Sequence, residues 1–302
     1  MEIEKKNRIK GHVTATLSII IWGTTFISTK VLLVDFSPTE ILFFRFTLAF
    51  LFLFILSPKP IFPKKNKNEL LYAISGLLSV TLYFMFQNVG LIYTLASNAG
   101  VLIAVAPMFT AIVSYFMISR ANLHRNFIIG FFITITGVAI ISFNGNFVLK
   151  LNPIGDILII LGALSWGFYC NVLSLIKDTE LTLIQQTRKI FFYGLVFLIP
   201  VLVFADFELA LYRFSSPQIL ANILFLALAA SAITFLLWNY SVSVLGPVKA
   251  STYIYFSPIV TVIASVIVLH EPFTIISFIG TFLIILGLVI SEKRKKIIDH
   301  ED

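Results

Sequence analysis

A single cysteine, Cys170, stands in the 302 residues, and it lies inside an apolar run. One thiol excludes an intramolecular disulfide and a cysteine-based metal site, which leaves Cys170 as a small packing residue. Charge is scarce as well: 12% of residues are charged, against about a quarter in soluble domains. No phosphate-binding loop GxxxxGK(S/T) occurs, so the chain is not itself an ATPase. The acids Asp35, Glu40, Asp156, Asp206, Glu208 and Glu271 and the histidines His12, His124, His270 and His300 stand at the ends of apolar runs or between them. That distribution supplies no proton relay at mid-depth. Nor does it supply the cluster of acids, histidines or metal ligands at one depth that a multipass enzyme acting on lipid needs. No catalytic residue, metal or cofactor is assigned.

What the sequence has in abundance is apolar surface. Hydrophobic residues make up 58% of the chain, 31 of them phenylalanine, and the mean hydropathy is +0.97. Apolar runs near twenty residues recur from end to end, and a helix needs about 20 such residues to cross a hydrocarbon core. The runs are continuous rather than alternating, which excludes a transmembrane β-barrel. The sequence therefore predicts an all-α integral membrane protein with ten transmembrane helices, over 13–34, 39–57, 70–92, 97–118, 126–144, 154–175, 183–205, 218–239, 247–269 and 274–291. The first run follows Lys5, Lys6, Arg8 and Lys10 but no small-residue cleavage site follows it, so it reads as a retained helix.

Cytoplasmic loops carry an excess of Lys and Arg. With ten alternating helices, the basic tails 1–12 and 292–302, the 58–69 loop, Arg120, Arg125 and Lys177 all fall on one side, and only Lys150 and Arg213 lie in loops on the other. Both termini are thus expected to be cytoplasmic. The net charge of +7 follows from topology, so the partner is the lipid bilayer and no nucleic acid is invoked.

Residues 84–114 can be laid on 235–265 without a gap, matching Phe84 with Phe235, Asn88 with Asn239, Pro107 with Pro258 and Ser114 with Ser265. With small shifts in the loops, Trp22-Gly23 pairs with Trp166-Gly167, Arg45 with Arg188, Gly130 with Gly280 and Gly137 with Gly287. Two five-helix repeats follow, 13–144 and 154–291. An odd number of helices in each makes the halves inverted copies, the recurring architecture of secondary transporters.

The Trp22-Gly23 pair, the Leu42-Phe43-Phe44-Arg45-Phe46 stretch, the stretch from Asn88 to Pro107, and His270-Glu271-Pro272 followed by Gly280 and Gly287 resemble the EamA-type branch of the drug/metabolite transporter superfamily. The resemblance covers nearly the whole chain. It implies ten helices in two inverted repeats, a bacterial-type inner (plasma) membrane, and export of small metabolites, often amino acids or their relatives. One departure stands out: the family pattern has an acid after the fourth helix as well as the ninth, and here Arg120 occupies the first region while Glu271 fills only the second.

Polar side chains inside a bilayer are costly unless they face a cavity or a partner, so they mark the candidates for substrate handling. Trp22, Tyr83, Gln87, Asn88, Trp166, Tyr169, Asn171, Trp238, Asn239, Tyr253 and Tyr255 are expected to line a midplane cavity for a small-molecule substrate. Asn88 and Asn239 read equally well as hydrogen-bonded glue between helices. Arg45 and Arg188 read either as a gate or anchor for an anionic group, or as residues that snorkel or cap carbonyls of a neighbouring helix. Lys30, Lys189 and Lys249 are expected to snorkel. Pro107 and Pro258 are hinge candidates or static kinks, and Gly130, Gly137, Gly280 and Gly287 are close-packing positions with a role open to them in pairing protomers. Monomer and homodimer both stay open. The alternatives are a multipass membrane enzyme acting on lipid and a non-transporting receptor or assembly subunit; a lined central cavity favours transport, and a solidly packed centre overturns it.

Overall fold

The computed structural model describes residues 2–64, 66–118, 125–143, 153–178, 180–205, 207–271 and 274–292. Arg120, His124, Lys150, Asp206, Pro272 and the tail from 293 fall outside these. Every regular element among the described residues is helical. In chain order the helical stretches are α1 (Glu2–Leu32), α2 (Pro38–Leu56), α3 (Lys67–Tyr93), α4 (Ala96–Met117), α5 (Arg125–Phe143), α6 (Pro153–Ser174), α7 (Leu183–Phe204), α8 (Pro217–Leu245), α9 (Pro247–Val268) and α10 (Ile275–Glu292). Eight of them, all but α5 and α10, are long and apolar enough to cross a membrane, and the other two are shorter apolar helices. The chain is a multi-pass membrane protein.

Helix starts are written in local chemistry. At α2, the Ser37 hydroxyl accepts from the Glu40 amide and the Glu40 carboxylate accepts from the Ser37 amide at 2.7 Å, with Pro38 leading the first turn. Thr182 and Gln185 build the same reciprocal cap on α7. Each such cap is worth about 1 kcal/mol.

The two halves share their irregularities as well as their helices. A π-helical stretch interrupts α3 at Leu77–Leu82 and α8 at Phe225–Ile233. A 3-10 stretch interrupts α4 at Ile103–Val105 and α9 at Thr252–Phe256. Pro107 and Pro258 each sit second in the α-helical segment that resumes after it. There a missing N–H is least costly, so the change of helix type absorbs what a proline in an unbroken helix would disrupt.

Matched helices that touch run antiparallel. The start of α4 meets the loop after α9, where the Ala96 and Ser97 amides donate to Glu271. The start of α7 meets the end of α2, where Arg188 donates to the carbonyls of Ser57 and Lys59. Along the α5–α10 contact, Gly137 lies against Gly280 and Gly287 against Gly130: a Cβ on Gly137 would stand 2.7 Å from the Gly280 carbonyl oxygen, and one on Gly287 2.6 Å from that of Gly130. All four expected packing glycines are thus used within one chain, and their stripe is not free to pair protomers.

Candidate functional site

All three tryptophans of the chain meet at the centre. The rings of Trp22 and Trp166, equivalent residues of the two repeats, are 5.1 Å apart and nearly perpendicular. Trp238 stands 5.2 Å from the first and 5.8 Å from the second, and Tyr83 and Tyr169 pack on Trp166 at 4.8 and 4.9 Å. Beside them is a phenylalanine quartet whose symmetry can be measured. Phe46–Phe84 and Phe191–Phe235 are both 5.1 Å, and Phe46 also touches Phe191 at 5.1 Å. Residues that touch their own counterparts lie on the axis relating the halves, so the axis passes through this aromatic cluster.

The π stretches open toward the same cluster. A widened turn leaves carbonyls without helical donors, and side chains take them: Trp22 Nε1 donates to the Ala230 carbonyl at 2.8 Å and Ser165 to that of Leu78 at 2.8 Å. Trp166 Nε1, although equivalent to that of Trp22, is buried with no acceptor.

Between the rings lies a cavity of ≈ 30 Å³ lined by Ile19, Trp22, Thr25, Phe26, Tyr83, Phe84, Gln87, Ile103, Trp166, Ile254 and Ser257. It has room for one or two water molecules. This corrects the expectation of a metabolite-sized cavity: the centre is closed by aromatic packing. Of the eleven expected lining residues, Trp22, Tyr83, Gln87 and Trp166 do line it, and Tyr169 and Trp238 pack behind them. A larger depression of ≈ 240 Å³, off the axis, is walled by Phe54, Phe62, Arg188, Phe192 and Tyr193.

The remaining candidates fasten helices. Asn239 Oδ1 accepts from the Tyr169 hydroxyl at 2.5 Å, and its Nδ2 donates to Thr187 at 3.0 Å. Asn88 Nδ2 donates to the Pro38 carbonyl at 3.3 Å, and Asn171 to the carbonyls of Thr110 and Gly167. Tyr253 lies away from the cavity, its hydroxyl 2.5 Å from His12 Nδ1, and Tyr255 is half-buried outside the lining.

The two arginines part company. Arg45 is completely buried, donates through Nε to the Ser231 hydroxyl at 2.5 Å, and lays its guanidinium carbon 4.2 Å over the centre of the Phe84 ring. Its two terminal nitrogens have no acceptor. Arg188 instead caps the end of α2, as the carbonyl-capping reading has it. The caps explain the difference, since Arg45 follows its N-cap Ser37 by eight residues and Arg188 follows Thr182 by six. Two residues turn a side chain by about 200° around the helix. Counted from the caps, the partner of Arg45 is Ile190, also fully buried.

Two of the three lysines expected to snorkel do not. Lys30 donates to the carbonyls of Leu91 and Thr94, neutralising the negative end of α3, and Lys189 pairs with Glu69. Lys249 is exposed, as expected.

The end of the bundle that holds the start of α1 is closed by His12–Tyr253, the Arg188 cap and the Lys64–Glu180 pair. Its hydrogen bond to Glu180 holds the Lys64 ammonium above its ordinary pKa, but this pair is exposed and adds little stability. The opposite end is closed by Glu271, which accepts from Ala96 N, Ser97 N and the Ser97 hydroxyl at 2.7–3.0 Å, and by Arg213 bridging Glu40 and Glu208.

Ser231, Phe84, Thr187 and the π stretches went unmarked as site features. Phe84 had a signal in its match to Phe235, but a lone serine or threonine in an apolar run carries none.

Curated relatives of this chain carry the name transporter. The chain is 26% identical over 292 residues to an uncharacterized transporter of Archaeoglobus fulgidus, covering 95% of this chain and 98% of that one. It is 28% identical over 309 residues to the uncharacterized transporter YcxC of Bacillus subtilis, covering 97% of each. A crystal structure 14% identical in sequence superposes with a TM-score of 0.64 over 93% of this chain and 96% of the other, which shows the shared fold. The model of the EamA-like transporter family matches twice, at residues 9–143 and 153–292, the two halves already visible in the repeated helix irregularities. The chain belongs to the EamA-like transporter family.

Proposed function

We propose that the chain is a secondary transporter that moves a small metabolite across a bacterial-type inner membrane by alternating access between two inverted five-helix repeats. In this reading there are ten spans, both termini are cytoplasmic, Pro107 and Pro258 are the hinges, and export of amino acids or related compounds is the direction and class that the family favours. The observation that carries it is the small cavity on the repeat axis, lined by Trp22, Tyr83, Gln87 and Trp166 and shut off by separate sets of polar contacts at the two ends. Releasing either set opens the centre to one side only, which is what alternating access requires. The basic residues Arg8, Lys10, Lys59 and Lys64 at the end that holds the start of α1 support cytoplasmic termini. The absence of an acid or histidine from the lining of the centre favours facilitated diffusion or exchange over proton coupling.

The small volume of the cavity is also what favours the rival, a non-transporting membrane subunit. Metabolite profiles of cells with and without the protein separate the two, followed by counterflow of the responding solute in reconstituted vesicles. Protein-dependent counterflow that persists after a protonophore is the expected result. Profiles that do not differ in any small metabolite overturn the transport reading.

A further inference from the structure

We propose that the central site takes the negatively charged group of a small organic acid with an apolar body, and that Arg45 is the residue that pairs with it. The inference rests on the transport reading above but replaces the amino acids that the family favours with an organic acid that has no ammonium group.

The unpaired groups at the centre are donors. Gln87 Nε2 and Trp166 Nε1, both on cavity-lining residues, have no acceptor, and neither do the two terminal nitrogens of Arg45. Arg45 is not itself in the lining. Its guanidinium is stacked on Phe84, which is, so one ring separates the charge from the cavity. A guanidinium has five N–H donors and no acceptor, and burying it without a carboxylate is costly. The buried acids among the described residues, and the half-buried Glu69 and Asp178, are engaged elsewhere: Glu40 with Arg213, Glu69 with Lys189, Glu271 with the start of α4, Asp156 with Thr94 and Asp178 with Tyr72. Two buried amide oxygens, Asn88 Oδ1 and Asn171 Oδ1, are also unpaired, but neither residue is in the lining.

The lining contains no Asp or Glu, so an ammonium group entering with the acid finds no carboxylate. Its apolar wall, with Ile19, Phe26, Ile103 and Ile254, suits a hydrocarbon body. The site thus selects an anion over a zwitterion or a cation, with Phe84 as the cover that swings off Arg45.

Because every tryptophan of the chain is in the cluster, intrinsic fluorescence of the purified full-length protein reads this site directly. The probes are butyrate and 3-phenylpropionate, the matched butylamine and 3-phenylpropylamine, and phenylalanine. At least one acid should give a saturable change, with its matched amine, and phenylalanine, at least about tenfold weaker. Arg45→Gln should weaken acid binding by at least about thirtyfold, as expected when one partner of a buried charge pair is removed. Phe84→Leu, which uncovers the guanidinium, should tighten acid binding and leave the amines unchanged; it keeps the test decisive where Arg45→Gln does not fold. Amines that bind as tightly as acids, no saturable response to either acid, or acid binding unaffected by both substitutions overturns the assignment. Failure of the transport reading looks different: acid binding without flux into vesicles sinks transport alone, and flux of a cation sinks only the assignment to acids.

Discussion

Asn239 joins three helices: it sits on α8, accepts from Tyr169 on α6 and donates to Thr187 on α7, all three residues being buried. Replacing it with alanine strands a hydroxyl at either end, and an unpaired buried polar group costs about 1–3 kcal/mol. Asn239→Ala should therefore lower the thermal unfolding midpoint in detergent clearly more than Asn88→Ala, whose counterpart bond is a single 3.3 Å contact with the Pro38 carbonyl. Equal shifts would show that the Tyr169–Asn239–Thr187 chain holds nothing together. At this scale the sequence marks where polarity is expensive but not which way a side chain turns. Arg45 and Arg188 occur in similar sequence surroundings, yet two residues of offset from their caps send one to the axis and the other to the end of α2. The spacing was legible only once Ser37 and Thr182 were known to be the caps.

Among elements, the α5–α10 pair has a close backbone approach, and the glycines that permit it could be read from the repeat alignment. Which helix they would meet could not, because glycine spacing specifies a face and not its partner. A Cβ on Gly287 would stand 2.5 Å from Thr134 Oγ1 and 2.7 Å from the Thr134 amide nitrogen as well as against the Gly130 carbonyl. Most of these are backbone atoms, which do not yield as a flexible side chain does. Gly287→Val should cost about 1–3 kcal/mol by overpacking, read as a lower unfolding midpoint, whereas a valine tolerated without a shift would mean that the two helices part easily. The π stretches were illegible for another reason. They arise where a helix gives up its regular ladder to carbonyl partners such as Trp22 and Ser165, which come from elsewhere in the chain.

For the molecule as a whole, apolar run length and internal repeat carried most of the architecture, because the bilayer imposes lengths that are written locally. The volume of the centre was not written locally, since it depends on how rings from α1, α3, α6 and α8 interlock. The topology has a direct test. The only cysteine is buried, so a single new thiol reports its own position. A membrane-impermeant maleimide applied to intact cells should label Tyr212→Cys, at an exposed site between α7 and α8, and leave Lys10→Cys unlabelled until the membrane is opened; the reverse pattern would turn the proposed topology over. The Glu271 cap on α4 has an energetic corollary. Its place in the other repeat is taken by Arg120, a side chain with no acceptor to offer a helix start. The two half-cycles of the proposed carrier are thus unequal: unlatching the Glu271 end breaks a carboxylate cap on a helix start, a kind of contact that an arginine at position 120 cannot make. In a passive carrier such inequality leaves the gradient in command of net direction, but it fixes the resting state and makes the substrate concentration for half-maximal flux differ between the two faces of the membrane.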